Sequence, residues 1–518
     1  MPDALLEPSR PTTASAPTSA TPARHPRRWA ILAVLCLSLF VVTLDNTVLN
    51  VALPSLVSGL GLSAPQVQWV VDAYSLVFAG LLLAGGSIGD RHGRRRALLA
   101  GLAVFGAGST AAALAGSASA LIVARGVMGV GGALLMPATL AIVMHVFEAD
   151  ERPRAIAVWG GVSALGVSAG PVLGGLLVER FWWGSVFLVN VPVVLLAVVA
   201  AVALVPESRR GDAPRPDLLG ALLSSTAIVA AVWATIQVPE HGWVSVPVLA
   251  AGGVAVVLAG GFVSWERRCA APMLRLSLLR SRQLIGASSV GVLLMFSLAG
   301  ATFVLTQHLQ LTLGFSPLEA GVRTLPVAGA ILVTSSVSPA FATLVGNHRA
   351  VATGLALLAG GLSVVALTAA REEYWPVALG CVLLGAGIGL AMAPASSSLM
   401  SSFPRDHAGL GSAMNDTFQE LGAALGVAVL GGIATATYRS GLPTSVPEAA
   451  RDSYGAALAL ARGEGTTGVG LAGAARSAFD LAVQHSLVGG SVTALLGAVV
   501  GLLVLGRRAV PVEPAATP

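Results

Sequence analysis

The chain has 518 residues, 55% of them hydrophobic and only 11% charged, with a formal charge of +5. So few charges could not cover the surface of soluble domains of this total size, which leaves a polytopic membrane protein. All 30 basic residues are Arg; without Lys there is neither a P-loop lysine nor a Schiff-base lysine, and a standard ATP-hydrolysing site is excluded.

Residues 1–28 are rich in Pro, Ser, Thr and Ala and read as a disordered cytoplasmic tail ending in Arg24, His25, Arg27 and Arg28. The apolar run that follows is long enough to span and lacks an A-x-A cleavage pattern, so it reads as a first span rather than a signal peptide. A helix needs about 20 residues to cross a hydrocarbon core roughly 30 Å thick. Fourteen such runs start near residues 29, 69, 97, 120, 155, 183, 217, 245, 284, 322, 349, 375, 409 and 483. With the N-terminus inside, 22 of the 30 arginines fall on the inner side and 7 on the outer, which predicts a cytoplasmic-membrane protein with both termini cytoplasmic. Residues 206–216 read as an inner linker, 437–482 as an outer loop with weak amphipathic helices, and 508–518 as a second cytoplasmic tail. Cys36, Cys269 and Cys381 read as space-filling residues, and no metal site is expected.

Span one carries "LDNTVLNVALP" at 44–54, where Asp45 is the one charge between Arg28 and Asp72. A carboxylate in such a run is costly and must be paired, hydrated or functional. At about 1.5 Å per residue, Asp45 lies about 6 Å from the outer edge, Asp72 about 5 Å deep and Arg125 about 9 Å deep. These three residues are therefore expected to share one outer layer. Separating Asp45 from Arg125 would favour proton uptake and bringing them together would favour release; a static ion pair is the plainer alternative. On the inner side "GSIGDRHGRRRALL" at 86–99 places Gly86 for close packing and Asp90 and Arg91 for contacts with a neighbouring helix end. Gly93 supplies the turn there, and Arg94 is one of three arginines held at the inner surface. Span five reads "GVSAGPVLGG" at 166–175: Gly166, Gly170 and Gly174 give a smooth face, Pro171 bends the helix and Gly175 follows. Late in the chain "MNDTFQELGAALG" at 414–426 puts Asp416 and Glu420 on one helix face, with Asn415 and Gln419 as a polar edge. Glu420 lies roughly 16 Å into its span, the depth at which transporters bind substrate.

The loop at 86–99 resembles the signature loop of the major facilitator superfamily. "LIVARGVMGVGGAL" at 121–134 resembles the fourth-span motif whose Arg is implicated in proton handling. The 166–175 stretch resembles the antiporter motif, which in that superfamily marks exporters. "LDNTVLNVALP", "WVVDAYSLVFAG" at 69–80, "LTLGFSPLEAGVRTLP" at 311–326 and "MNDTFQELGAALG" resemble the 14-helix drug:proton antiporter branch. The resemblance covers residues 29–507. It implies an all-α major facilitator fold: a six-helix bundle over 29–205, a linker with inserted helices seven and eight over 206–283, and a second six-helix bundle over 284–507. It departs at "LVGNHRA" (344–350), which keeps only His348 and Arg349 of the second signature loop, and at span ten, which has no acid.

The implied function is proton-coupled export of amphipathic small molecules, drugs or antibiotics. Proton coupling falls to Asp45, Arg125 and Asp72, the substrate cavity to Glu420, Asp416, Gln419 and Asn415. The expected partners are lipophilic substrates that acids in the cavity would bias toward cations, protons and the lipid bilayer. No nucleic acid, no cofactor and no ATP is expected beyond the proton motive force, nor any enzyme activity, and the chain is expected to be a monomer. The alternatives are an exporter dedicated to one self-made metabolite, an uptake symporter, and a non-transporting membrane sensor.

Overall fold

The computed structural model describes residues 26–148, 150–209, 217–269, 272, 281–403, 408–443, 445–461 and 465–505. The expected tails, apart from residues 26–28, and most of the linker 206–216 lie outside the described residues. Among those described, fourteen helices are long and apolar enough to cross a membrane. The first six are α1 (Arg28–Leu60), α2 (Ala64–His92), α3 (Arg94–Ala113), α4 (Ala118–Val146), α5 (Arg152–Arg180) and α6 (Ser185–Leu204). The next two are α7 (Leu218–His241) and α8 (Val246–Glu266). The last six are α9 (Arg282–Thr312), α10 (Pro317–Val345), α11 (Asn347–Thr368), α12 (Tyr374–Met400), α13 (Ala408–Gly441) and α14, which begins at Gly465 and ends at Leu505.

Local chemistry sets the helix ends. Ser63 N–H donates to Gln66 Oε1 at 3.0 Å, a capping box that with Pro65 in the first turn starts α2. Ser316 and Glu319 close a reciprocal box at the start of α10. Gly93 ends α2 at φ +119° and Gly346 ends α10 at φ +88°, conformations that a side chain would strain.

In the first bundle α1 packs on α5, α2 and α3 pack on α4, and α6 lies against α1 and α3. Every one of these pairings recurs eight helices later: α9 on α13, α10 and α11 on α12, and α14 against α9 and α11. The two expected six-helix bundles are therefore internal repeats of one another. The bundles meet where α2 lies along α13, and where the first turns of α10 meet α5. Helix α7 packs against both α2 and α13, with Val232 and Ile236 in an apolar cluster beside Leu76, Ala424 and Ala428. Helix α8 packs chiefly on α7.

The outer loop is shorter than the sequence suggested. Residues 437–441 complete α13, and α14 starts at Gly465, well before residue 483. Arg476 and Asp480 lower the hydropathy of that stretch, but Ala475, Ala478 and Ala482 are buried and Phe479 stacks on Tyr454 at 4.8 Å. Packing, not membrane thickness, extends the helix. What remains of the loop forms two short helices, Glu448–Asp452 and Tyr454–Ala461. The three cysteines are free.

Candidate transport site

Asp45 and Arg125 form an ion pair and are 0% and 1% exposed. Five further groups complete the site. Arg125 Nε donates to the Val70 carbonyl at 3.0 Å, and its guanidinium lies 4.6 Å from the centre of the Tyr74 ring. Asn190 Nδ2 donates to Asp45 Oδ1 at 3.0 Å and contacts Ser109 Oγ at 3.1 Å, while Ser109 donates to the Phe187 carbonyl at 2.7 Å. The pair thus ties α1 to α4 and is braced from α2, α3 and α6. Charge-assisted bonds of this kind are strong only while the geometry holds, because an ion left unpaired in a dry interior is costly.

Asp72, between Val70 and Tyr74 on α2, shares this depth but does not bond to the pair. Its carboxylate is fully buried, yet neither oxygen has a hydrogen-bond partner among the described residues. The reason is azimuthal. Arg125 takes the Val70 carbonyl on one side of α2, and two residues further round a 3.6-residue turn the side chain points to nearly the opposite side. There Leu76, one turn on from Asp72, meets α7 and α13.

On α13, Asn415 Nδ2 donates to Asp416 Oδ1 at 3.2 Å, and Gln419 and Glu420 are partly exposed beside them. Glu420 faces Ser75 of α2 across the bundle interface. Tyr74, the neighbour of Ser75, lies within electrostatic reach of Asp45, Arg125 and Glu420. Adjacent residues of α2 thus touch both groups: the Tyr74 ring lies against Arg125 of the ion pair, and Ser75 bonds to Glu420 of the other bundle. Sequence reasoning missed Asn190, Tyr74 and Ser75. Tyr74 and Ser75 adjoin Asp72 in "DAYS", and Asn190 is a lone amide in the apolar run "FLVNVPVV".

The glycines of α5 are contact points. A Cβ at Gly166 would meet Thr43, one at Gly170 would meet Thr47, and one at Gly174 would meet Val48, all on α1. A Cβ at Gly175 would run into the backbone of Pro317 and Leu318, and one at Gly321 into that of Pro171. The motif therefore closes α5 onto α1 within its bundle and onto α10 across the interface. Beyond Pro317–Arg323, α10 makes little contact with α5, so the bundles are shut at this end. Gly175→Leu is expected to hold that end apart, a small-to-large change costing about 1–3 kcal/mol in the closed arrangement. Spin labels at the facing ends of α5 and α10 should show a longer distance than in the unaltered protein.

At the opposite, Arg-rich end, Asp90 pairs with Arg94 one turn on, at 2.8 Å, and Arg94 Nη1 reaches the Ala141 carbonyl of α4 at 3.3 Å. Arg94, paired with Asp90, thus links this turn to a neighbouring helix. A Cβ at Gly86 would lie 3.4 Å from Pro137 of α4. Glu207, just past α6, was expected in the linker. It accepts the Arg95 N–H at 3.2 Å, lies 3.7 Å from Arg96 and fills the space beside Gly93. In the second bundle the matching turn keeps its glycine at Gly346 but, among the described residues, has no acid–Arg pair; Asn347 Nδ2 contacts Ser398 Oγ at 3.4 Å instead.

Comparison with known proteins places these features. The family model described as Major Facilitator Superfamily matches residues 35–427. The chain is 38% identical over 498 residues to the multidrug efflux pump LfrA of Mycolicibacterium smegmatis, covering 95% of this chain and 97% of that protein. It is 34% identical over 406 residues to the tetracenomycin C resistance and export protein of Streptomyces glaucescens, covering 78% and 76%. Among solved structures, a bacterial homologue of the human lysosomal transporter Spinster, in an inward-facing and unoccupied conformation, superposes with a TM-score of 0.68 at 16% identity, covering 93% of this chain and 98% of that one. That likeness concerns the fold.

Proposed function

Because the chain belongs to the Major Facilitator Superfamily, we propose that it exports amphipathic small molecules across the cytoplasmic membrane in exchange for protons. The observation that carries this reading is the buried Asp45–Arg125 pair, braced by Asn190 and packed on Tyr74, whose neighbour Ser75 bonds to Glu420 on the other bundle. The proton motive force drives the cycle without ATP. The Arg-rich end is cytoplasmic, in keeping with the distribution of arginines, so the α5–α10 contact shuts the outer side.

When the bundles rock, α2 and α13 slide against each other while each bundle keeps its own core. Movement of Tyr74 relative to Arg125 loosens the guanidinium, and an Asp45 carboxylate deprived of its partner takes a proton from water on the open side. Re-formation of the pair expels that proton on the other side. Glu420 and Asp416 offer negative charge to a lipophilic cation at the interface, and substrate and proton alternate because both act on one electrostatic unit.

A resistance panel in a pump-deficient host, with and without a protonophore, tests the reading. Resistance to several unrelated compounds that a protonophore removes supports it; resistance that persists, or none at all, overturns it. A second reading, an exporter of one metabolite, is favoured by the likeness to the tetracenomycin C protein, and protection against a single compound would select it. Glu420→Gln is expected to weaken export of a cationic dye by about 10- to 100-fold, the roughly 1.5–3 kcal/mol scale of a hydrogen bond to a charged group, while sparing a neutral substrate. Concentration dependence of efflux for the two compounds measures the difference, and equal losses would remove Glu420 from recognition.

A further inference from the structure

Asp72 is a buried acid without a partner among the described residues, and charged side chains on the neighbouring helices are engaged elsewhere. Arg125 of α4 serves Asp45 and Val70, Glu420 of α13 faces Ser75, and Glu240 of α7 pairs with Arg439 at 3.3 Å. One turn before Asp72, on the same face of α2, stands Gln68, which is 2% exposed and whose Oε1 is also without a partner. Gln68 lines a cavity of about 60 Å³ with Gln307 of α9, Thr435 and Tyr438 of α13, and Asp452 of the outer loop.

The cavity lies where the two bundles join, under the two short loop helices. Tyr438 Oη donates to the Ala450 carbonyl at 2.9 Å, and Gly455 sits over Val57 of α1. Its volume has room for more than one water, each needing roughly 10–15 Å³ and two to four polar partners. Gln68, Gln307, Thr435, Tyr438 and Asp452 supply those partners, unlike the walls of a dry apolar void.

We propose that this cavity holds the water that carries a proton from the loop-capped end of the molecule to Asp72, with Gln68 positioning the innermost water and Asp452 at the rim. The proton comes from bulk water, moves along the hydrogen-bonded waters and ends on the Asp72 carboxylate; Gln68 is unchanged. This entry is separate from the Asp45–Arg125 pair and makes Asp72 a second acid with its own access. The rim group is suited to passing protons inward. Burial raises the Asp452 carboxyl above its usual range, Arg439 opposes this, and Glu448 and Glu240 add to it. The proposal rests on proton exchange as the driving reaction.

Two measurements test it. Hydroxyl-radical footprinting of the purified protein should oxidise Tyr438, although it is only 3% exposed, and Gln68→Leu should suppress that oxidation. An unoxidised Tyr438 means a dry cavity and overturns the proposal, whether or not the protein is proton-driven. In energised cells, Gln68→Leu and Asp452→Asn should move the alkaline limb of the external-pH profile for ethidium efflux toward acid by about one unit, a tenfold greater need for protons. Gln68→Asn, which keeps the amide, should restore the profile. Superimposable profiles with intact wild-type coupling overturn the route alone, whereas wild-type efflux indifferent to a protonophore overturns proton exchange and the route with it.

Discussion

Asp45→Asn is expected to stop proton-driven efflux while leaving a folded protein in the membrane. The amide keeps the shape of the carboxylate; its oxygen can still accept from Arg125, and its NH2 can donate to Asn190 once that side chain turns its unpartnered Oδ1 inward. The guanidinium retains the Val70 carbonyl at 3.0 Å and the Tyr74 ring at 4.6 Å. The stability loss should therefore stay near the 1.5–3 kcal/mol of one weakened charged hydrogen bond, about the size seen for such bonds elsewhere. What the amide cannot do is gain and lose a proton. Efflux driven by an imposed pH gradient in everted vesicles should fall to that of vesicles without the protein, while thermal unfolding in detergent shifts only modestly. Wild-type efflux in this variant would remove Asp45 from the coupling step.

Arg125→Ala is expected to be the more damaging change to the fold. It deletes the cation paired with Asp45, the bond to Val70 and the side chain packed over Tyr74, all inside a site that is 1% exposed or less. Removing one partner of a buried pair costs about 3–5 kcal/mol, because the remaining charge keeps little compensation beyond Asn190. Arg125→Lys separates charge from geometry. A lysine restores the positive charge but has no planar fork, so it cannot hold Asp45 and Val70 together. It should recover most of the thermal stability and little of the efflux; full recovery of efflux would show that charge alone suffices.

The sequence made the helices legible because a span is a one-dimensional object: twenty apolar residues in a row need no knowledge of neighbours. It also made the Asp45–Arg125 pair legible, since both residues lie at similar depth from the same end. Depth says nothing of the angle around a helix axis, which is why Asp72 looked like a third member of that site and is not. Asn190 and Glu207 were hidden for another reason. Each is a single polar residue whose meaning depends on a helix far away in the chain, 145 residues from Asn190 to Asp45 and 112 from Glu207 to Arg95. The start of α14 was hidden because its first turns are held by Tyr454 and the loop helices rather than by lipid.

Gly93 and Gly346 occupy matching turns in the two repeats, both at positive φ, yet only the first is surrounded by Asp90, Arg94 and Glu207. The same backbone conformation therefore stands with and without the charges around it. The positive φ is a constraint that a side chain would strain in either half, whereas the ion pairs latch only the first turn. A scan of every substitution through both turns should come out lopsided, with glycine indispensable in each half and the neighbouring charges indispensable in one.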